Sequence, residues 1–192
     1  MKTIVFLVLT LISVRLQAQD KPYYYEIPAE PEVYTATTAV ARMVDGLGFR
    51  YFWATEGLRA EDLQFKPSAE ARTSFETVQH IYGLTYVLLN TVQGKPTGAN
   101  DADLSTFEDY RNATLENIRQ ASEILKKPGT DLKDLPMVFQ RANGNREYPF
   151  WNLINGPISD ALWHIGQVVT FRRSSGNPLP AGVNVLEGTK RD

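Results

Sequence analysis

Two histidines and one aspartate are the residues of this 192-residue chain best suited to chemistry. His80 and His164 are the two histidines, and each lies in a segment with clear helical periodicity. Asp160 precedes His164 by four residues, so on a helix both side chains lie on one face, one turn apart. Two imidazoles and one carboxylate can bind a divalent ion and leave coordination positions open for water or a substrate. His80, Asp160 and His164 are therefore a candidate metal site.

The same spacing also fits an ordinary amphipathic helix whose polar face carries Asp160, His164 and Gln167. An apolar stripe runs nearly opposite that face and comprises Ile158, Leu162, Ile165 and Val169. His80 likewise lies beside the centre of the apolar stripe of its own helix. Periodicity alone therefore leaves solvated or hydrogen-bonded histidines as an alternative to a metal site.

Other polar side chains give weaker indications of a site. Gln167 is a candidate outer partner that hydrogen-bonds a ligand imidazole. Arg172 is a weak candidate for binding an anionic substrate or cofactor, since a cation in the last turn of a helix is also favoured by the helix dipole. Trp151 and Trp163 are interpreted as core or cavity-wall residues. The chain has no nucleophile elbow, P-loop or dinucleotide fingerprint, and catalytic residues stay unassigned.

The N-terminus has the pattern of an export signal. Lys2 precedes an apolar run over residues 4–14, which is shorter than the roughly 20 residues that span a bilayer. The polar segment that follows predicts cleavage after Ala18 or Gln19, and hence a periplasmic or secreted protein. The chain has no cysteine, which excludes a lipoprotein anchor, disulfides, thiol nucleophiles and Cys-based metal sites.

The charge balance restricts the partners. Loss of residues 1–19 removes Lys2 and Arg15 from 20 basic residues, so 18 remain against 22 acidic ones and the net charge is about −4. A mildly acidic chain without a basic cluster argues against nucleic-acid binding. We expect a small-molecule substrate and no membrane contact after the signal is removed. The sequence is compatible with both a monomer and a homodimer.

Four principal helices are predicted from periodicity and capping signals. The first covers residues 38–53, and the second opens at the capping box Thr73-x-x-Glu76 and stops before Gly94. The third opens at a second capping box, Ser105-x-x-Glu108, and stops near Pro128. The last runs from about Phe150 or Pro157 to Arg173, because proline fits the first turn of a helix.

Between the third and last helices, Asn143-Gly144-Asn145 lies between two short apolar runs and predicts a hairpin with a primed turn. The domain organisation is then a signal peptide at 1–19, an extended arm at 20–36, a helical bundle at 37–180 and a C-terminal tail at 181–192. The fold class is all-α, an up-down four-helix bundle with a short hairpin before the last helix.

The order of these motifs resembles the DinB-like (YfiT-like) superfamily over about residues 36–180. Residues 160–167 and their continuation to Pro178 are similar to that family's last helix, where His-x-x-x-His is followed by Gly-Gln, an arginine and a glycine-proline turn. Residues 58–67, and His80 with the apolar residue after it, match the family's first half.

The resemblance implies a four-helix bundle that binds a divalent metal through three histidines. His80 and His164 match two of them, and Asp160 stands at the position of the third. Aspartate can ligate zinc, nickel, manganese or iron, so the site survives chemically with the identity of the metal open.

The functions implied are a metal-dependent hydrolase or a thiol-dependent transferase, and export argues against the thiol reaction. The alternative is a non-catalytic ligand- or protein-binding bundle that has lost its metal. In that case Tyr23, Tyr24 and Tyr25 in the arm, together with the hairpin, are the expected contact surfaces.

Overall fold

Four long helices enclose the hydrophobic core in the computed structural model, which describes residues 21–191. In chain order the helices are α1 (Ala36–Thr55), the short α2 (Ala60–Gln64), α3 (Ser74–Val92), α4 (Phe107–Leu125), the short α5 (Phe150–Leu153) and α6 (Ser159–Ser174). The predicted all-α bundle is confirmed. The predicted signal peptide, residues 1–19, lies outside the described residues. Across residues 21–191, no helix combines the length and apolar character that crossing a bilayer requires.

Threonine side chains cap the three longest helices at their N-termini. The predicted box at Thr73 is present, because the Thr73 N–H donates to Glu76 and the Glu76 N–H donates to the Thr73 hydroxyl. The box predicted at Ser105 is wrong by one residue, since Thr106 caps α4 with Asp109 as its partner. Aspartate is one methylene shorter than glutamate, but its carboxylate still reaches back to the Thr106 N–H.

The helices do not simply alternate in direction. Phe75 contacts Tyr110, and ten residues further along α3 the Thr85 hydroxyl accepts a hydrogen bond from Asn117, so α3 and α4 run parallel. The segment between them returns along α3, because Asn100 donates to the Tyr82 hydroxyl in the middle of that helix. The order of directions is therefore up, down, down, up, with α6 packed antiparallel against α3.

The last helix is continuous but irregular. After α5, residues Ile154–Ile158 form a π-helical turn that contains Pro157, and α6 follows without a break. Proline lacks the N–H that a regular α-helix needs at this position, and a π turn accommodates its ring. This segment packs against α3. It therefore sets the rotation of α6, and with it the direction of Asp160, relative to α3.

Two small hairpins flank α5 and α6. Strands β1 (Met137–Phe139) and β2 (Arg146–Tyr148) pair antiparallel with Phe139 opposite Arg146. The hairpin is present, but the predicted primed turn is wrong: six residues separate the strands, and within the described chain only glycines, here Gly144, have positive φ. A type I′ turn would also need positive φ at Asn143. Strands β3 (Val183–Asn184) and β4 (Thr189–Lys190) form a C-terminal hairpin that the sequence did not predict.

The N-terminal arm, residues 21–35, packs on the bundle and on the C-terminal hairpin. Tyr24 is 2% exposed, and its ring covers Gly48, where a Cβ atom would lie 2.5 Å from the ring. Its hydroxyl donates to Asp45, which also binds Lys126 at the C-terminal end of α4. Further along, the Ile27 N–H donates to the Gly188 carbonyl at 2.8 Å. The arm therefore joins α1, α4 and the end of the chain.

Candidate metal centre

His80, Asp160 and His164 come together between the antiparallel helices α3 and α6. His80 lies on the second turn of α3, and Asp160 and His164 lie on the first two turns of α6. The two imidazole rings are 4.6 Å apart, centroid to centroid, and nearly perpendicular. Each of the three residues offers a ligand atom, and these atoms all lie within 4.8 Å of one another. Within residues 21–191 this is the single cluster of its kind.

Asp160 lies between the two histidines. Its Oδ2 atom is 3.5 Å from His80 Nε2, and its Oδ1 atom is 3.4 Å from His164 Nε2. Two ligand atoms that are each about 2.1 Å from a tetrahedral ion lie about 3.4 Å apart. Each of the two spacings, which are measured to different oxygens of Asp160, is close to the spacing between two ligands of one ion. The cluster could hold a metal ion.

Gln167 fixes the tautomer of His164. Its Oε1 atom lies 2.7 Å from His164 Nδ1, and because an amide oxygen only accepts, Nδ1 carries the proton. The Nε2 lone pair then points toward Asp160 and is free for a metal. This contact is the one expected of an outer partner of a ligand imidazole. Its role in metal binding stays a prediction.

The environment favours a neutral His80. Burial lowers the pKa of His80, the charges of Arg72 and His164 lower it further, and Asp160 partly offsets both. A neutral imidazole offers the lone pair that a metal needs, so proton competition at this ligand is reduced. The side chains of Asp160, His80 and His164 are 42%, 33% and 14% exposed, respectively. Water therefore reaches the cluster from the Asp160 side.

Arg172 does not reach the cluster or the solvent. It is 2% exposed, and its Nη1 donates to the backbone carbonyls of Trp53, Ala54 and Glu56, while Nε donates to that of Asn177. The last carbonyls of α1 have no N–H partners within the helix, and Arg172 donates hydrogen bonds to them instead. Its donors are thus used within the protein, and the geometry gives no support to the anion-binding prediction.

Neither Trp151 nor Trp163, interpreted as core or cavity-wall residues, lies in the core. Trp151 and Trp163 are each 72% exposed. Trp151 does line a cavity of about 470 Å³ beside the β1–β2 hairpin, together with Tyr148, Pro149 and Phe150. None of the metal-cluster residues lines this cavity. Trp163 projects from α6 into solvent, whereas Asp160 and His164 on the same helix face His80 of α3.

Asp62 is a polar centre that sequence reasoning missed. Its side chain is fully buried and accepts hydrogen bonds from Arg59, Ser175 and Asn177, which tie α2 to the end of α6. These donors, Arg59 first, hold the pKa of Asp62 well below its usual range. In the sequence, residues 58–67 are similar to the first half of the DinB-like family, but this similarity assigns no role to Asp62. Two of its partners, Ser175 and Asn177, lie more than 110 residues away, and the local contact with Arg59 gives no sign that Asp62 is buried.

Comparison with known proteins supports the fold. No protein-family model matches the chain, and no curated protein matches it. A solved structure does: the crystal structure of YjoA, a DinB-like protein from Bacillus subtilis, superposes with a TM-score of 0.55 at 15% sequence identity. The match covers 74% of this chain and 96% of that one. At this identity the likeness concerns the fold, and the protein described here has the DinB-like fold.

Proposed function

We propose that this protein is a divalent-metal-dependent enzyme in which His80, Asp160 and His164 hold the ion. The observation that carries the proposal is the convergence of three ligand atoms within 4.8 Å from two separate helices. Chance spacing along one helix would account for Asp160 and His164, but not for His80 facing them from α3. The DinB-like fold adds support, because it is the fold that the sequence resemblance associated with this site.

Three protein ligands favour a catalytic over a structural role. Structural zinc sites are closed by four protein ligands, whereas catalytic sites leave at least one position for water or substrate. The exposed side of Asp160 is where such a position would open. The four long helices already enclose a continuous apolar core, so the fold does not need the ion as a substitute for hydrophobic packing.

The donor set restricts the metal to a short list. A bound ion would act as a Lewis acid and lower the pKa of a bound water. Two imidazoles suit zinc, nickel and iron, and the carboxylate widens the choice to manganese. The chain's own residues prepare the site: Gln167 holds the His164 tautomer, and burial keeps His80 neutral.

Between the reactions, we favour hydrolysis over thiol-dependent transfer. The apolar N-terminal run predicts export, and low-molecular-weight thiols are mainly intracellular. The second candidate is a non-catalytic binding bundle. Its proposed tyrosine contact surface has little support, because Tyr24 is buried against α1 and only Tyr23 is largely exposed. The cavity beside the β1–β2 hairpin is the observation that favours a non-catalytic binding bundle.

Metal uptake tests the site directly. Purified protein stripped of metal is titrated calorimetrically with zinc, nickel, manganese and iron(II). We expect one ion per chain, loss of uptake in His164→Ala, and a large loss in Asp160→Ala. The matched control is Asp103→Ala, which removes an exposed aspartate outside the cluster and should bind as the unchanged protein does. Equal binding by all three variants would place the ion elsewhere.

The two histidines allow a second, residue-resolved readout. Long-range nitrogen–proton spectra of histidine-labelled protein contain two imidazoles, each assigned by its alanine variant. On adding zinc, the Nε2 signals of both should shift together. The Asp160→His variant, which restores the three-histidine pattern, should bind at least as tightly. If neither protein takes up any of the four metals, the convergence is a hydrogen-bonded cluster and the proposal fails.

A further inference from the structure

A groove on the opposite face of α6 from the metal cluster has the composition of a ligand site. It encloses about 460 Å³ between α1, α6 and the C-terminal segment. Leu162, Ile165 and Val169 form its floor, at the three- and four-residue steps of one helix face. This is most of the apolar stripe that the sequence showed. The stripe is only partly covered by the protein itself, since Leu162 and Val169 are half-buried.

The walls are apolar as well. Trp53 closes the groove on the α1 side, and the C-terminal segment contributes Leu179, Val183 and Val185. Gly166 leaves a gap in the floor, because nothing lies within 4 Å of the position where its Cβ atom would be. A glycine inside a helix costs about 1 kcal/mol relative to alanine, so this gap is obtained against the helix's own preference. The volume is within the range of about 300–1,000 Å³ that small-molecule sites occupy.

Two arginines give the groove a positive charge. Arg50 and Arg173 line it, and no aspartate or glutamate does. Arg50 makes one hydrogen bond, to the Gly46 carbonyl of its own helix, and the Arg173 guanidinium has no hydrogen-bond or ion-pair partner among residues 21–191. The helix dipole accounts for Arg173 in the last turn of α6. It does not account for Arg50, which precedes the last turn of α1.

We infer that this groove binds a carboxylate with an extended apolar chain, such as a medium-chain fatty acid. The apolar floor and walls would bury the chain, while Arg50 and Arg173 pair with the head group. A guanidinium forms bidentate hydrogen bonds with a carboxylate. A neutral or cationic amphiphile has no carboxylate to accept them. The site is distinct from the metal cluster and does not depend on the proposed enzyme function.

The position of Trp53 in the wall provides the probe. In the background Trp151→Phe/Trp163→Phe, which replaces two exposed tryptophans, Trp53 is the single remaining indole. Its fluorescence is titrated with 12-bromododecanoate, whose bromine quenches indoles that it contacts. We expect saturable quenching, and a calorimetric titration of the unsubstituted protein with dodecanoate should give the same stoichiometry.

Four variants test the groove. Gly166→Leu fills the floor and should abolish quenching, whereas Gly83→Leu, at an exposed helical glycine of α3 with equal free space, should not. Arg50→Gln/Arg173→Gln should weaken binding about tenfold through loss of charge-assisted hydrogen bonds. Arg141→Gln, at an exposed arginine of the β1–β2 loop, should leave it unchanged. If Gly166→Leu folds poorly, the comparison of Arg50→Gln/Arg173→Gln with Arg141→Gln still tests the groove.

Three results would overturn the inference. Quenching that never saturates, or that is equal in Gly166→Leu, removes the groove as the site. Equal affinity for 12-bromododecanol removes the role of the two arginines. Sedimentation that shows concentration-dependent dimers, lost in Gly166→Leu, assigns the groove to a second copy of the chain.

Discussion

The Asp160 carboxylate faces two imidazoles at once, one with each oxygen. Such an arrangement stabilises positive charge between the three side chains, whether that charge is a proton on a ring or a metal ion. Because burial lowers the pKa of His80, a proton is disfavoured on that ring near neutral pH. A neutral His80 keeps its lone pair available for a metal ion, which is what the metal proposal requires.

Gln167→Leu should weaken metal binding without disturbing the fold. It removes the acceptor 2.7 Å from His164 Nδ1, so the ring loses its preferred tautomer and orientation. Loss of such outer partners typically lowers affinity by about 10–100-fold. Calorimetric titration measures the change, with Gln120→Leu, which removes a glutamine of α4 that hydrogen-bonds Glu116 outside the cluster, as the control. Unchanged zinc affinity in Gln167→Leu would mean that the hydrogen bond does not serve the site.

Asp62→Asn should lower the free energy of unfolding at neutral pH by about 2–3 kcal/mol, because a buried charged acceptor of several hydrogen bonds is lost. The effect should depend on pH with a definite sign. The folded-state pKa of Asp62 lies below its unfolded value, so its contribution is full above the unfolded value of about 4 and is lost as pH falls below it.

Urea unfolding at several pH values between neutral and acid checks this prediction. The difference in stability between the unchanged protein and Asp62→Asn should shrink as the pH falls below about 4. Asp103→Asn, at an exposed aspartate, supplies the baseline for general acid effects. A difference that is the same at every pH would show that the Asp62 charge contributes nothing to stability.

At the scale of the elements, Arg172 joins the end of α6 to the end of α1. Arg172→Met would leave the carbonyls of Trp53, Ala54 and Glu56 without their donor in a buried region. We expect a loss of about 3 kcal/mol or more in the free energy of unfolding. The neighbouring Arg173→Met, on the exposed side of the same helix, should change it by less than about 0.5 kcal/mol. Equal effects of the two variants would argue against Arg172 as a cap.

The long helices, and the cap at Thr73, were predictable because their information is local. The helix that opens at Thr73 needs only a capping box, a repeated apolar spacing and a stop at Gly94, all within one segment. The parallel course of α3 and α4 was not predictable, because it depends on where residues 93–106 pack. The C-terminal hairpin was missed for the same reason, since its two-residue strands gain their order from contacts with the distant arm.

For the site, sequence spacing placed Asp160 and His164 on one face, and the structure does so too. Periodicity could not bring His80 to them, because the choice of α3 as the neighbour of α6 is a property of the bundle. Trp163 shows the limit most clearly. Its exposure depends on which face of α6 meets α1 and α3, and that is a property of the packed bundle, not of the helix alone.

For the whole molecule, we predict processing to a chain that begins at Gln19 or Asp20. The apolar run at residues 4–14 and the polar change after Leu16 motivate this. Expression with the natural N-terminus in a bacterial host, followed by fractionation and intact-mass measurement, tests it. A soluble cytoplasmic product that retains Met1 would contradict export, and would restore the thiol-dependent reaction as an equal candidate.

The hydrogen bond between Ile27 and Gly188 joins the N-terminal arm to the C-terminal hairpin. Segments close to the two ends of the described chain lie side by side, so the order in which the helices are connected can be changed without changing how they pack. A circular permutant that joins Lys21 to Arg191 through a short flexible linker, and opens at the exposed residues 99–103, should therefore fold. In that chain α4 and α6 come first and α1 and α3 last, yet the imidazoles of His80 and His164 should still meet across the same interface.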